Sequence, residues 1–256
     1  MLDLTDKTVF ITGASAGIGA ACAEAFASAG TRLLLCARRQ DRLQDLADRL
    51  RSRHTVAIHT FVLDVRRSEA VEQAVADLPE AWRQIDILVN NAGLSKALDT
   101  VYENTIADID AMVDTNVKGL LYVTRAVVPG MVARKRGHVI NIGSTSGRTV
   151  YPGGTVYCAT KFAVHALNMG MKMDLHGTGV RVSSVDPGLV ETEFSIVRFE
   201  GDRDRADTAY AGMTPLTPED VADGVLYCAT RPLHVNINEL VMMPLDQSAP
   251  TMVHRR

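Results

Sequence analysis

Thr8-Val9-Phe10-Ile11-Thr12-Gly13-Ala14-Ser15-Ala16-Gly17-Ile18-Gly19-Ala20-Ala21-Cys22 is the stretch whose reading settles the architecture. A β-branched run leads into a glycine-rich turn, and the turn leads straight into an Ala-rich helical pattern. Gly13, Gly17 and Gly19 permit a tight turn. Together with Ser15 and Ile18 they bring backbone N–H groups and a helix N-terminus up to any pyrophosphate placed there. Glycine turns are common, but at a strand-to-helix junction this one reads as a dinucleotide loop rather than a structural turn.

Outward from the loop, short β-branched runs alternate with longer helical patterns, the signature of βαβ units and a parallel sheet. Strands are predicted over 8–12, 32–37, 56–62, 87–90, 137–142, 180–185 and 237–243. Helices are predicted over 17–29, 39–52, 68–77, 105–134 (two helices broken around Thr115), 155–175 and 218–229. Thr217-Pro218-Glu219-Asp220 has the form of a helix start, with a capping hydroxyl, a first-turn proline and acids at the positive end of the dipole. The fold class is therefore α/β: a single Rossmann-like doubly wound domain, with a seven-stranded parallel sheet flanked by helices on both faces. Its ligand crevice must lie at the carboxyl ends of the strands. The domain is expected to span residues 1–243, with a substrate lid near 189–216 whose sequence is polar and aperiodic from 193 on. A tail at 244–256 is expected to reach a neighbouring subunit.

The composition excludes several classes of function. The 256 residues are 46% apolar and carry 27 basic against 30 acidic side chains, which suits one large core and argues against a partner held by phosphate electrostatics. No apolar run reaches the length of a membrane span, and the N-terminus lacks a signal-peptide pattern, so the expected location is cytoplasmic. Cys22, Cys36, Cys158 and Cys228 are widely spaced and read as buried free thiols, and the seven histidines offer no metal-ligand spacing.

At the end of the second strand, sites for NAD place an acid that holds the ribose 2′-hydroxyl. Here the residues are Ala37-Arg38-Arg39. Two guanidiniums at a helix N-terminus oppose the dipole, and a 2′-phosphate explains them, so the expected cofactor is NADP(H).

At the reacting end, Tyr157 and Lys161 are four residues apart and share one helix face. A lysine roughly 4 Å from a phenol, at an effective dielectric of about 20, contributes about 4 kcal/mol, enough to draw the phenol pKa down by about three units. Ser144 ends the fifth strand, 13 residues before Tyr157, where its hydroxyl can donate to a carbonyl. Asn116 opens the second half of the long middle helix.

The glycine loop, Asn90-Asn91-Ala92-Gly93, and the Ser144, Tyr157 and Lys161 set together resemble the short-chain dehydrogenase/reductase family over Thr12 to Thr192. The resemblance implies that Tyr157 moves the proton, Lys161 lowers its pKa and holds the cofactor ribose, Ser144 positions the carbonyl and Asn116 supports a relay to Lys161. It also implies that Asp64, with Val65, meets the adenine, and that Asn91, Ala92 and Gly93 meet the central ribose region. Ile18 and the segment containing Pro187, Gly188, Val190 and Thr192 would meet the nicotinamide. Many NADP-dependent members carry a basic residue where this chain has Ala16, which leaves Arg38 and Arg39 to hold the phosphate largely alone. Tetramers built through the Tyr157 helix and the last strand are common in the family, and a homotetramer is the implied state.

Within the family, Thr192-Glu193-Phe194-Ser195 with Val197-Arg198-Phe199, and His234-Val235-Asn236-Ile237-Asn238, look like the bacterial NADP-dependent 3-hydroxy acid (serine) dehydrogenases. Reductases of malonic semialdehyde and of sulfoacetaldehyde are close to that group. Their substrates share a short chain, a carbonyl and an anionic head, for which Arg198, Arg148 and the terminal Arg255 and Arg256 are candidate clamps. Two other readings stay open at this point. One is a reductase of neutral ketones or diketones, and the other a non-catalytic NADP-binding regulator, which has no need of Ser144, Tyr157 and Lys161 together.

Overall fold

The computed structural model describes residues 2–199 and 201–256. Its central strand, β1 (Thr8–Thr12), is buried along its whole length and alternates between two cores. Val9 and Ile11 pack with Cys22, Phe26, Leu43, Leu46, Val221 and Val225 on one face, while Phe10 packs with Leu34, Leu88, Val123, Val127 and Met131 on the other. A strand covered on both faces reads as a continuous apolar run, which is why the pattern in this stretch does not alternate.

The chain continues through α1 (Gly17–Ser28), β2 (Arg32–Ala37), α2 (Gln40–Arg53), β3 (Ile58–Val62), α3 (Ser68–Ala76) and β4 (Ile87–Asn90). Then come α4 (Ile106–Val113), α5 (Leu120–Ala133), β5 (Gly137–Ile142), α6 (Thr155–Asp174), β6 (Val180–Pro187), α7 (Glu193–Arg198), α8 (Arg203–Thr208), α9 (Pro218–Ala229) and β7 (Glu239–Met242). The order β3-β2-β1-β4-β5-β6-β7, parallel at every pairing, is the predicted seven-stranded doubly wound sheet. The order reverses between β1 and β4, and the crevice opens there.

Four local expectations need correction. The third strand starts at Ile58 and the last spans only Glu239–Met242, so both are shorter than predicted. The two helices expected over 105–134 do separate around Thr115, but through a π-helical turn, Asp114–Gly119, and not a break in the helix. The lid is not featureless, since it holds α7 and α8. The tail packs against residues 212–214 of its own chain. Its short hairpin, β8 (Gln247–Ala249) with β9 (Met252–Val253), is followed by Arg256, whose N–H bonds the Gly212 carbonyl at 2.8 Å. Asp246, largely buried, accepts from the Thr214 N–H at 3.0 Å and pairs with Arg256 at 3.0 Å, so hairpin and lid close on one carboxylate. No helix among the described residues is long and apolar enough to cross a membrane.

Candidate active site

A cavity of about 670 Å³ opens at the carboxyl ends of β1, β4, β5 and β6, roofed by α7 and the tail hairpin. Of the residues singled out in the sequence, Gly13, Ser15, Gly17, Ile18, Arg38, Arg39, Asp64, Val65, Asn91, Ala92 and Gly93 line one half. Ser144, Tyr157, Lys161, Pro187, Gly188, Val190, Thr192 and Arg198 line the other. Gly19, Asn116 and Arg148 lie outside the wall.

The α1 N-terminus points its donors into this cavity without internal competition. Ala16 at the N-cap makes no side-chain hydrogen bond, and the first turn has no acid. Gly13 and Gly17 have φ of +65° and +53°, where a Cβ is costly. Gly19 serves packing instead. A Cβ there would fall 2.4 Å from Asn91 Nδ2 and 2.5 Å from the Gly13 carbonyl oxygen, so its missing side chain lets α1 dock on the loop.

At the basic end of the cavity Arg38, Arg39 and Arg42 accompany Glu193, beside an Asp64–Arg66 pair. Arg39 pairs with Glu193 at 3.1 Å and reaches Ser15 Oγ at 3.4 Å, while Arg42 donates to the same carboxylate at 2.7 Å. These hydrogen bonds and charges hold the Glu193 carboxyl below the usual range. Arg38 is exposed beside Asp64, whose pKa is lowered chiefly by its forked hydrogen bonds from Arg66 at 2.6 to 3.0 Å. Arg38 and Arg39 are thus not alone, as the sequence suggested. Arg42 lies three residues beyond Arg39 on α2, a helical spacing that could have nominated it. Glu193 is 154 residues from Arg39, and nothing local announces it.

At the reacting end α6 places Tyr157 and Lys161 on one face, both buried. Burial pushes the Tyr157 phenol up to about 12, opposed chiefly by the Arg198 guanidinium and then by a hydrogen bond with Ser144. Lys161 follows one helical turn later on the same face. Its Nζ donates to the Ile142 carbonyl at 2.9 Å and stands 5.9 Å from the Tyr157 ring centroid, and its own desolvation brings it down to about 8. Ser144 caps the following turn by accepting from the Ser146 N–H at 3.1 Å, which holds its hydroxyl beside Tyr157.

Arg198 is the less obvious member of the site. Its guanidinium carbon lies 5.3 Å from the Tyr157 ring centroid and 5.2 Å from that of Phe194, and one Nη donates to the Tyr151 hydroxyl at 3.2 Å. Its Nε is buried without a hydrogen-bond partner, and no carboxylate pairs with it among the described residues. Tyr151, Phe194, Tyr210 and Gln247 join the wall around it. Single residues scattered over 151, 194, 210 and 247 carry no periodicity, so the sequence did not point to them.

Arg148 is not a clamp in this arrangement. It lies behind the wall, bound to Asp186 at 2.8 Å and to Glu239, and two carboxylates occupy its guanidinium. Arg256 is likewise occupied by Asp246, and Arg255, which does line the cavity, donates to the Ala209 and Ala211 carbonyls. Asn116 sits in the π-helical turn, a feature that re-aims side chains at functional sites. It accepts from the Leu94 N–H and donates to the Leu94 carbonyl, both at 2.8 Å, and donates to Thr160 at 3.0 Å. It braces the exit of β4 beside Gly93 rather than facing the cavity.

Comparison with known proteins agrees with this geometry. The chain is 50% identical over 249 residues to the NADP-dependent 3-hydroxy acid dehydrogenase YdfG of Salmonella typhi, covering 96% of this chain and 99% of the relative. It is 47% identical over 241 residues to sulfoacetaldehyde reductase 2 of Chromohalobacter salexigens, covering 94% and 95%. Among solved structures, the closed form of a serine dehydrogenase complexed with NADP+ superposes with a TM-score of 0.90 at 48% identity, covering 97% of this chain and all of that one. The short chain dehydrogenase family model matches residues 7–202, and the chain belongs to that family.

Proposed function

We propose that this chain interconverts short 3-hydroxy acids, or 2-hydroxy sulfonates, and their carbonyl forms as an NADP(H)-dependent oxidoreductase. Candidate pairs are 3-hydroxypropanoate with malonic semialdehyde, serine with its aldehyde, and isethionate with sulfoacetaldehyde. One observation carries the anionic substrate: Arg198 is a half-buried cation beside Tyr157, its Nε buried without a partner, and no acid pairs with it among the described residues. Enclosed charges are ordinarily paired, so the missing anion belongs to the ligand. A neutral ketone leaves that charge uncompensated.

The dinucleotide fits the other half. The uncapped α1 N-terminus suits a pyrophosphate. Three guanidiniums against the single Glu193 carboxylate leave two positive charges, which matches a 2′-phosphate carrying about two negative charges. Gly13, Ser15 and Gly17 would hold the pyrophosphate, Arg38 and Arg39 the 2′-phosphate, and Ile18 would meet the nicotinamide face. Asp64, Val65, Asn91, Ala92 and Gly93 would hold the adenosine and central ribose regions, and Pro187, Gly188, Val190 and Thr192 the nicotinamide side. When bound, NADPH supplies the hydride. Ser144 orients the carbonyl oxygen, Tyr157 gives it a proton, and Lys161 keeps a positive charge near the ribose and the phenol.

The test is Arg198→Met, which keeps most of the stem's volume and removes the charge. A charge-assisted bond of about 1.5 to 3 kcal/mol corresponds to a fall of about 10- to 150-fold in kcat/KM for malonic semialdehyde. A neutral aldehyde of the same size should change by less than about threefold. An unchanged ratio between the two rejects the clamp, and a parallel fall means only that the lid was disturbed.

We further propose a homotetramer in a reducing, cytoplasmic setting. Phe162, Met169 and Met173 on α6, and Val241 and Met243 at the β7 edge, present apolar side chains outward, and all four cysteines are unpaired. A light-scattering mass equal to one chain would count against the assembly.

A further inference from the structure

We propose that Arg198 ties the charge of the bound substrate to the proton on Tyr157: an anionic head keeps the phenol protonated, and a neutral substrate leaves it prone to ionise. This rests on Arg198 receiving the anionic head, and it assigns the same guanidinium a second consequence.

The geometry brings the charge and the phenol together with little between them. The Arg198 guanidinium carbon lies 5.3 Å from the Tyr157 centroid and 5.2 Å from the Phe194 centroid, and the two rings stand edge to face with centroids 5.6 Å apart. From α6, Tyr157 is faced by Lys161 and Cys158. From the exit of β5 and its loop it is faced by Ser144 and Tyr151, and from α7 by Phe194 and Arg198. Tyr210, on the far side of the lid, lies within the reach of Arg198. Asp186 of β6 acts on Lys161, and its carboxylate is bound by Arg148. The acids are thus directed elsewhere, and Arg198 is the strongest charge opposing the desolvation of the phenol.

The sign follows from electrostatics. A bare guanidinium beside the phenol favours phenolate, and an anion seated on that guanidinium cancels its field. Unit charges about 6 Å apart at an effective dielectric of about 20 interact strongly enough to move a pKa by one to two units. In reduction the Tyr157 O–H bond breaks as the carbonyl oxygen takes the proton, the hydride from NADPH completes the CH–OH, and water later refills the phenolate. In oxidation the phenolate takes the hydroxyl proton and the hydride leaves to NADP+. A negative head therefore favours the donor form of Tyr157, which is the form reduction requires. For oxidation it moves the rise in rate to higher pH.

The experiment compares the pH dependence of kcat for oxidation of 3-hydroxypropanoate and of 3-hydroxypropanamide, its uncharged counterpart of equal size, with NADP+. Wild type, Arg198→Met and Arg198→Lys are measured. In the wild type the rise for the amide should lie about one pH unit below that for the carboxylate. Arg198→Met should move the amide's rise up by about that amount, and Arg198→Lys should keep it low. Coincident rises in the wild type overturn the coupling. If Arg198→Met abolishes the preference for the carboxylate but leaves the amide's rise where it was, the clamp stands and the coupling is wrong. If the preference survives Arg198→Met, the clamp itself fails and the coupling with it.

Discussion

Tyr157→Phe is expected to lower kcat by about 100- to 10,000-fold while NADPH binding changes little, which steady-state rates and a fluorescence titration of NADPH check side by side. The substitution leaves the ring that packs edge-on against Phe194 and removes one oxygen, so the helix that carries Lys161 keeps its support. The loss falls on the proton. Retention of more than about a tenth of the wild-type kcat would mean that another group donates it.

The second large effect concerns cofactor choice. Ala37→Asp combined with Arg38→Leu is expected to reverse the preference from NADPH to NADH, a swing in the kcat/KM ratio of about 100-fold or more. Ala37 ends β2 inside the cavity wall, where a carboxylate would meet the ribose 2′-hydroxyl and repel a phosphate. Arg38 is the arginine to remove, because Arg39 is already engaged by Glu193 and Ser15 and its loss would also loosen α7. A double variant that keeps the wild-type preference would place phosphate recognition on Arg39 and Arg42 instead.

Much of this site was legible in the sequence where chemistry is written in short spacings. Tyr157 and Lys161 share a helix face by arithmetic. Ser144 stands at a strand end that the β-branched run of β5 announces, and the Thr217 and Asp220 capping box forms as its residues foretold. What could not be read was side-chain pairing across the fold. Arg148 and Arg198 look alike in a sequence, yet Asp186 and Glu239 on neighbouring strands engage the first, while the second lies against the Tyr157 and Phe194 rings with no paired carboxylate among the described residues. The π-helical turn at 114–119 escaped for a related reason. It carries Asn116, whose side-chain amide bonds Leu94, 22 residues away. The bond of the Lys161 Nζ to the Ile142 carbonyl, 19 residues away, was hidden for the same reason.

The cysteines give the chain a built-in clock for its own opening. Burial pushes Cys22 and Cys36 up to about 12 and Cys228 up to about 11, and raises Cys158 as well. Alkylating reagents need both access and thiolate, so each sulfur stays silent until its surroundings come apart. Cys22 and Cys228 belong to the core beneath α1 and α9, Cys36 to the opposite core, and Cys158 sits beside Tyr157 on α6. A maleimide mass tag, followed residue by residue, would time the separation of each layer without any engineered label. A saturating dinucleotide, which binds only the closed chain, would slow the clock.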